Sequence, residues 1–309
     1  MLEVVAIGEL LFDIFVLPDG EERVEFGGSP ANLCVHLAGA GHRVALCAKV
    51  GRDGLPLVGI LESFGVDARW ISIDDDCPTT RVILCRQPGA PEFEFERGAD
   101  ALLKGDDLAG LELWGVKLVH TTAFALSRPP QREAVLSLLD KAASSSIAIS
   151  LDANYRPSLW DDPREGRDLV LSLVSRTRWL KLSSHDAEFL LGTREHGEAI
   201  PRLAELGAQG ICFSTGPSGA LIIDGGKELH LPAPEVEVVD PKGAGDALYA
   251  GVLHAFLAGL SLEEGAELGL MWTASVLRGW GSLPEGKGVI EGGKTMTASE
   301  IQGKRKEEA

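Results

Sequence analysis

Strand-like and helix-like stretches alternate along most of this 309-residue chain, and that alternation leaves few folds open. Residues 4–8, 44–50, 68–73, 117–120, 147–151, 179–182 and 210–214 are β-branched or apolar runs that read as strands. Residues 31–40, 56–64, 131–143, 164–175, 247–257 and 262–278 read as helices. Ser29 and Pro30 offer an N-cap and a first helical position, and Gly41 a stop. Strands in such alternation build a mostly parallel sheet with helices on both faces. The expected fold class is therefore α/β, a three-layer open sheet. The rhythm breaks twice. Residues 12–17 and 23–26 read as strands around Pro18-Asp19-Gly20, and residues 81–86 and 92–95 flank Pro88-Gly89-Ala90-Pro91. The two hairpins are expected to pair into a small separate sheet, a lid over the mouth of the main one. No repeat or low-complexity linker divides the chain, so one domain is expected over 1–309, its tail from Thr297 charged and mobile.

The charge balance narrows the function classes. With 29 Lys and Arg against 46 Asp and Glu, the net charge is 29 − 46 = −17. Nucleic acids and anionic membranes are polyanions, so neither is an expected partner. Cys34, Cys47, Cys77, Cys85 and Cys212 form no C-x-x-C pair, which points to a reducing compartment and away from a zinc site. The first residues carry no basic n-region, and no uncharged apolar run reaches membrane-spanning length. A soluble cytoplasmic protein is expected.

The stretch Asp240-Pro241-Lys242-Gly243-Ala244-Gly245-Asp246-Ala247 follows a strand-like run at 236–239 and opens a helix. Gly243, Ala244 and Gly245 let backbone N–H groups crowd around an anion at a helix start. Asp246 places a carboxylate at the same point. Such a carboxylate fits a base that takes a proton from a hydroxyl while the nest holds the phosphoryl group under attack. A Gly-rich turn with an ordinary first-turn Asp is the alternative. Gly27-Gly28-Ser29-Pro30-Ala31-Asn32 also opens a helix; Gly27 and Gly28 permit close backbone approach to a ligand, and Asn32 would face the same cleft. Asp13, just past the first strand, can accept hydrogen bonds from two neighbouring sugar hydroxyls. Asp152-Ala153-Asn154-Tyr155-Arg156 begins where a strand stops, the end that carries the site in open α/β sheets. Arg156 and Arg97 can each reach a substrate oxygen or a phosphate; each is otherwise a surface ion-pair partner. Ser214, Thr215, Gly216 and Gly219 form a candidate nucleotide-side loop. Residues 288–295 fit the Walker A spacing at Gly288, Gly293, Lys294 and Thr295, but no further sheet follows and Glu291 adds negative charge, so a P-loop is not expected.

Together the Gly27–Asn32 and Asp240–Asp246 stretches resemble the two signature motifs of the ribokinase-like (PfkB) sugar kinases, and the likeness covers about residues 1–290. The resemblance implies a ribokinase-like fold whose β-lid takes in residues 12–27 and 79–98, and transfer of the γ-phosphoryl group of MgATP to a sugar hydroxyl. It implies Asp246 as general base, Gly243, Ala244 and Gly245 as the anion hole, and Asp13, Gly28 and Asn32 as sugar contacts. It also implies a water-mediated role toward Mg²⁺ for Asp186, with Glu188 as the alternative, a monovalent cation such as K⁺ at Asp240, and a homodimer. Phe93 to Asp100 and Asp152 to Trp160 look most like fructokinases, and also resemble 2-keto-3-deoxygluconate kinases, in which Arg97 and Arg156 would meet the substrate carboxylate. Phe95, where the latter often carry an aromatic hydroxyl, favours fructose. A nucleoside kinase and an idle, kinase-shaped binding protein are the other readings. Lys242 stands where the family usually has Thr; an ammonium near the cation site is expected to weaken dependence on K⁺.

Overall fold

The computed structural model describes residues 1–17, 20–87, 90–283, 290–291 and 294–295. In chain order its first half contains β1 (Val4–Ile7), β2 (Leu11–Val16), β3 (Glu22–Gly27), α1 (Ser29–Gly39), β4 (Val44–Gly51), α2 (Leu55–Ser63), β5 (Ile71–Asp74), β6 (Arg81–Gln87), β7 (Ala90–Glu96), β8 (Leu118–Thr122) and α3 (Gln131–Ser144). The second half contains β9 (Ala148–Asp152), α4 (Pro163–Leu173), β10 (Trp179–Ser183), α5 (Ser184–Leu191), α6 (His196–Glu205), β11 (Gly210–Ser214), β12 (Ala220–Asp224), β13 (Lys227–Leu231), α7 (Ala244–Ala258) and α8 (Leu262–Leu277).

Nine strands form the main sheet in the order β13-β12-β11-β10-β9-β8-β1-β4-β5. The strands from β11 to β5 run parallel; β12 and β13 add an antiparallel edge. Side chains alternate across β1. Val5 and Ile7 join a core with Val135 of α3 and Ala187 of α5, while Val4 and Ala6 join a second core with Val35 of α1 and Val252 of α7. Both faces of the sheet are thus covered, which is why the central strands are mostly apolar on both sides. The out-of-rhythm strands form a separate four-stranded sheet, β3-β2-β6-β7, joined through the parallel pair β2 and β6. The three-layer expectation and the pairing of the two hairpins both hold.

Several local expectations change. Residues 236–239 form no strand; Val238 is exposed, so its apolar character is not spent in a sheet. The strand expected over 68–73 begins only at Ile71. Ser29 does not cap α1. Gly28 occupies the N-cap, and the Ser29 hydroxyl turns to two carboxylates instead. The antiparallel hairpin β12–β13 and helices α5 and α6 were not expected; α5 is short and held by a Ser183–Asp186 capping box. Within the Walker-like stretch, Ile290–Glu291 pairs antiparallel with Lys294–Thr295, not the strand-to-helix passage a P-loop needs. Pro18, Asp19, Pro88, Gly89 and the tail from Thr297 lie outside the described residues.

Candidate active site

The carboxyl ends of the parallel strands bring the sequence-separated motifs to one cleft of about 360 Å³, a volume suited to a small ligand. Asp152, Ser183 and Ser214, the last residues of β9, β10 and β11, face it, as does Glu9 just beyond β1. Asp13 of β2, with Val82 and Phe95 from β6 and β7, faces it from the small sheet. Gly28, Ser29 and Asn32 enter at the start of α1, and Lys242, Gly243, Gly245 and Asp246 at the start of α7.

Asp246 lies in the first turn of α7 and is buried. Its Oδ1 accepts hydrogen bonds from Lys181 Nζ at 2.7 Å and Ser29 Oγ at 2.9 Å, and its Oδ2 accepts one from Asn32 Nδ2 at 2.8 Å. Burial alone would raise its proton affinity. The Lys181 ammonium and the Asn32 and Ser29 donors outweigh that and hold it below the usual carboxylate range. Asn32 is itself fixed, since its Oδ1 accepts from Ser282 Oγ at 2.7 Å.

Two glycines make this approach feasible. Gly243 has φ +73°, and a Cβ there would sit 2.7 Å from Ser282 Cα, so only glycine lets the α7 start lie against that backbone. Gly28 has φ +112°, and its Cβ would sit 2.4 Å from the Glu9 carbonyl oxygen. Gly28→Ala is expected to cost at least about 2 kcal/mol of stability, because the left-handed strain and the backbone clash act together. Urea denaturation checks this, and an unchanged midpoint would refute the close approach. Gly27 leaves room for Asp13, whose carboxylate would meet a Cβ there at 2.6 Å.

Asp13 ion-pairs with Lys242, whose ammonium also lies 5.1 Å from the Phe15 ring centre. Burial raises the Asp13 carboxyl, with Lys242 opposing. The Lys242 ammonium is thus committed to β2. Asp240 is fully buried and accepts from the Lys242 and Gly281 backbone N–H groups at 3.3 and 3.2 Å. Glu9 is pushed up to about 8 by burial, partly opposed by the Thr122 hydroxyl.

The two arginines part ways. Arg156 faces the cleft and bonds to Asp186 Oδ1 at 3.0 Å. Arg97 is not among the residues lining it. Its guanidinium donates to Asp100 at 2.8 Å, Gln131 at 2.9 Å and Ser127, and lies 4.3 Å over the Phe124 ring. Arg97 was expected to reach substrate; in this structure its donors go to a buried network beside the cleft. Asp186 also lines the cleft, though its carboxylate already accepts from the Ser183 and Tyr155 N–H groups as well as from Arg156. Glu188 is ion-paired with Arg194 on the surface.

On the nucleotide side, Ser214 lines the cleft, whereas Thr215 lines a neighbouring cavity and donates its hydroxyl to Gly219 within its own turn. Gly216 begins that turn, and Gly219 passes so close to Leu231 O that a Cβ would fall 1.9 Å from it. Three members of the site went unrecognised in the sequence as partners of Asp246 or its neighbours: Lys181, Ser29 and Asp152. Lys181 carried a readable signal, a single charge inside the apolar strand Trp179-Leu180-Lys181-Leu182.

The chain matches the pfkB family carbohydrate kinase over residues 1–279. It is 28% identical to the ATP-dependent 6-phosphofructokinase of Thermoanaerobacterium thermosaccharolyticum over 91% of this chain and 89% of that one. It is 28% identical to the 2-dehydro-3-deoxygluconokinase of Thermoproteus tenax over 90% and 89% of the two chains. The solved fructokinase of Halothermothrix orenii superposes with a TM-score of 0.76 at 30% identity, covering 87% of this chain and 97% of that one. These relatives are named for different acceptors, and the chain belongs to the pfkB family of carbohydrate kinases.

Proposed function

We propose that this kinase transfers the γ-phosphoryl group of MgATP to a hydroxyl of a neutral sugar, D-fructose at O6. One observation carries the choice of a neutral acceptor. Each cation facing the cleft among the described residues already has a carboxylate partner: Lys181 with Asp152 and Asp246, Lys242 with Asp13, and Arg156 with Asp186. An anionic sugar would have to share a cation that a carboxylate already holds, and breaking the Lys181 or Lys242 pair would leave a buried charge uncompensated. Polyhydroxy ligands instead match carboxylates such as Asp13, which accept from hydroxyl pairs.

In this reading the sugar lies between Asp13 and Asp246, with the small sheet as a lid that excludes water. Asp246 takes the hydroxyl proton as the sugar oxygen forms its bond to Pγ. The bond from Pγ to the β,γ-bridging oxygen breaks, and ADP leaves carrying that electron pair. The N–H groups of Gly243, Ala244, Gly245 and Asp246, at the positive end of α7, hold the charge that spreads over the phosphoryl oxygens. Ser214, Thr215, Gly216 and Gly219 border the nucleotide. Mg²⁺ bound to the nucleotide neutralises phosphate charge. Asp186 is an oxygen donor of the type that hard cations take, so it fits an outer contact through water. Asp240, bonded to the loop before the nest and to Gly281, is the candidate neighbour of a monovalent cation.

A 2-keto-3-deoxygluconate kinase is the second reading, favoured by Arg156 in the cleft and weakened by the engagement of Arg97 elsewhere. A panel of D-fructose, fructose 6-phosphate, 2-keto-3-deoxygluconate, D-ribose and adenosine, followed by ADP release from MgATP, decides between them. D-Fructose is expected to exceed each of the others by about tenfold or more in kcat/KM, the scale on which unpaired polar groups discriminate. A tenfold preference for an anionic sugar would replace the proposal.

A further inference from the structure

A buried parallel strand gives no welcome to an ammonium, whose desolvation costs several kcal/mol unless partners offset it. Lys181 of β10 is nevertheless placed there, and its partners are two carboxylates. Its Nζ donates to Asp152 Oδ2 at 2.6 Å and to Asp246 Oδ1 at 2.7 Å. Ser29 Oγ lies 2.8 and 2.9 Å from the same two oxygens. A hydroxyl has one proton and serves one of them at a time, whereas an ammonium has three and serves both. The lysine stem runs beneath the α7 start: a Cβ on Gly245 would sit 3.2 Å from Lys181 Cε, so the glycine at that step keeps the path open.

We propose that Lys181 is a positioning residue for phosphoryl transfer: through its paired contacts it keeps Asp246 ionised and aimed at the acceptor hydroxyl, with Asp152 anchoring it from the other side. The inference rests on Asp246 being the base. Two carboxylates bridged by one hydroxyl would otherwise share a proton, as close like charges do, and a protonated Asp246 cannot take the hydroxyl proton. The other titratable groups around it cannot take over. His36 of α1 and His120 of β8 are pushed down to about 4 and about 3 by burial and are neutral. Asp13 of β2, and Asp186 near Asp152, are acidic groups and supply no positive charge. Burial disfavours the charged lysine, but Asp152 and Asp246 outweigh it and raise its proton affinity, so the ammonium persists over the whole working range. Lys181 lowers both carboxyls; burial still pushes Asp152 up, while Asp246, which also accepts from Asn32, is held down.

The test is carboxyl ¹³C NMR on the full chain with labelled aspartate, Asp246→Asn assigning the resonance of interest. In Lys181→Met the Asp246 midpoint is expected to rise by about two units, and in Lys181→Met/Asp152→Asn by about one. The double variant removes a carboxylate together with its lysine, so it carries the test if the single variant fails to fold. The acid limb of kcat/KM for D-fructose with MgATP should move by the same amounts, and Lys181→Arg should restore much of the shift. A midpoint that moves by less than about half a unit in both Met variants overturns the proposal. The readouts separate the underlying claims. Absence of fructose turnover in the unsubstituted chain refutes the acceptor, and the NMR shift still decides the lysine. Full turnover in Asp246→Asn refutes the base and the role of Lys181 with it.

Discussion

Asp246→Asn is expected to lower kcat about 10³-fold, equivalent to about 4 kcal/mol of transition-state stabilisation. An amide cannot accept the hydroxyl proton. It also brings an NH₂ group among three donors, Lys181, Ser29 and Asn32, which now arrange themselves around an acceptor. The sugar KM should change much less, because the proposed sugar contact, Asp13, comes from β2 of the small sheet and not from α7. Steady-state ADP release at saturating MgATP measures both. A loss of under about tenfold would remove Asp246 from the chemistry, and a matching rise in KM would recast it as a sugar anchor.

The second large effect concerns stability. Arg97→Met is expected to cost about 3–5 kcal/mol, because it strands Asp100, which is fully buried, without its guanidinium. Gln131 and Ser127 lose a donor at the same time. For a chain of this size the melting temperature should fall by about 10 °C. Among molecules that remain folded, the D-fructose KM should stay within about threefold. An unchanged melting temperature with a KM raised more than tenfold would return Arg97 to the substrate. Arg156→Met makes the comparison informative, since that side chain faces the cleft and its partner Asp186 keeps two backbone donors and the Ser183 hydroxyl.

The parallel sheet was readable because the central strands are rich in apolar and β-branched residues and most crossovers carry a helical pattern. The β12–β13 edge was missed for the converse reason: β13 is mixed in polarity and largely exposed, and nothing in Lys227-Glu228-Leu229-His230-Leu231 announces a buried partner. The run at 236–239 misled because β-branched residues favour strands wherever a sheet edge is open to them, and here none is used. Asp13, Asn32, Asp246 and the small residues at 243–245 were legible from spacing and chemistry. Ser29 was misread because Ser before Pro is a good cap in isolation, and only the fold brings Asp152 and Asp246 within reach of its hydroxyl. The partners of Arg97 were equally illegible. Its sequence neighbourhood is that of a surface residue, and the network that claims it comes from residues up to 34 positions away.

The register of the small sheet has a consequence for how this enzyme can vary. Asp13 sits opposite Glu25 on one side and Val82 on the other. Successive side chains in a strand point to opposite faces, so a slip of β2 by one residue would swing the carboxylate out of the cleft and Ile14 into it. Insertions or deletions within residues 11–16 are therefore confined to pairs, if they are tolerated at all. Length changes in the connection between β2 and β3 leave the phase of Asp13 untouched. In a lineage of such chains, that connection is where length is free to drift, while the strand itself keeps count.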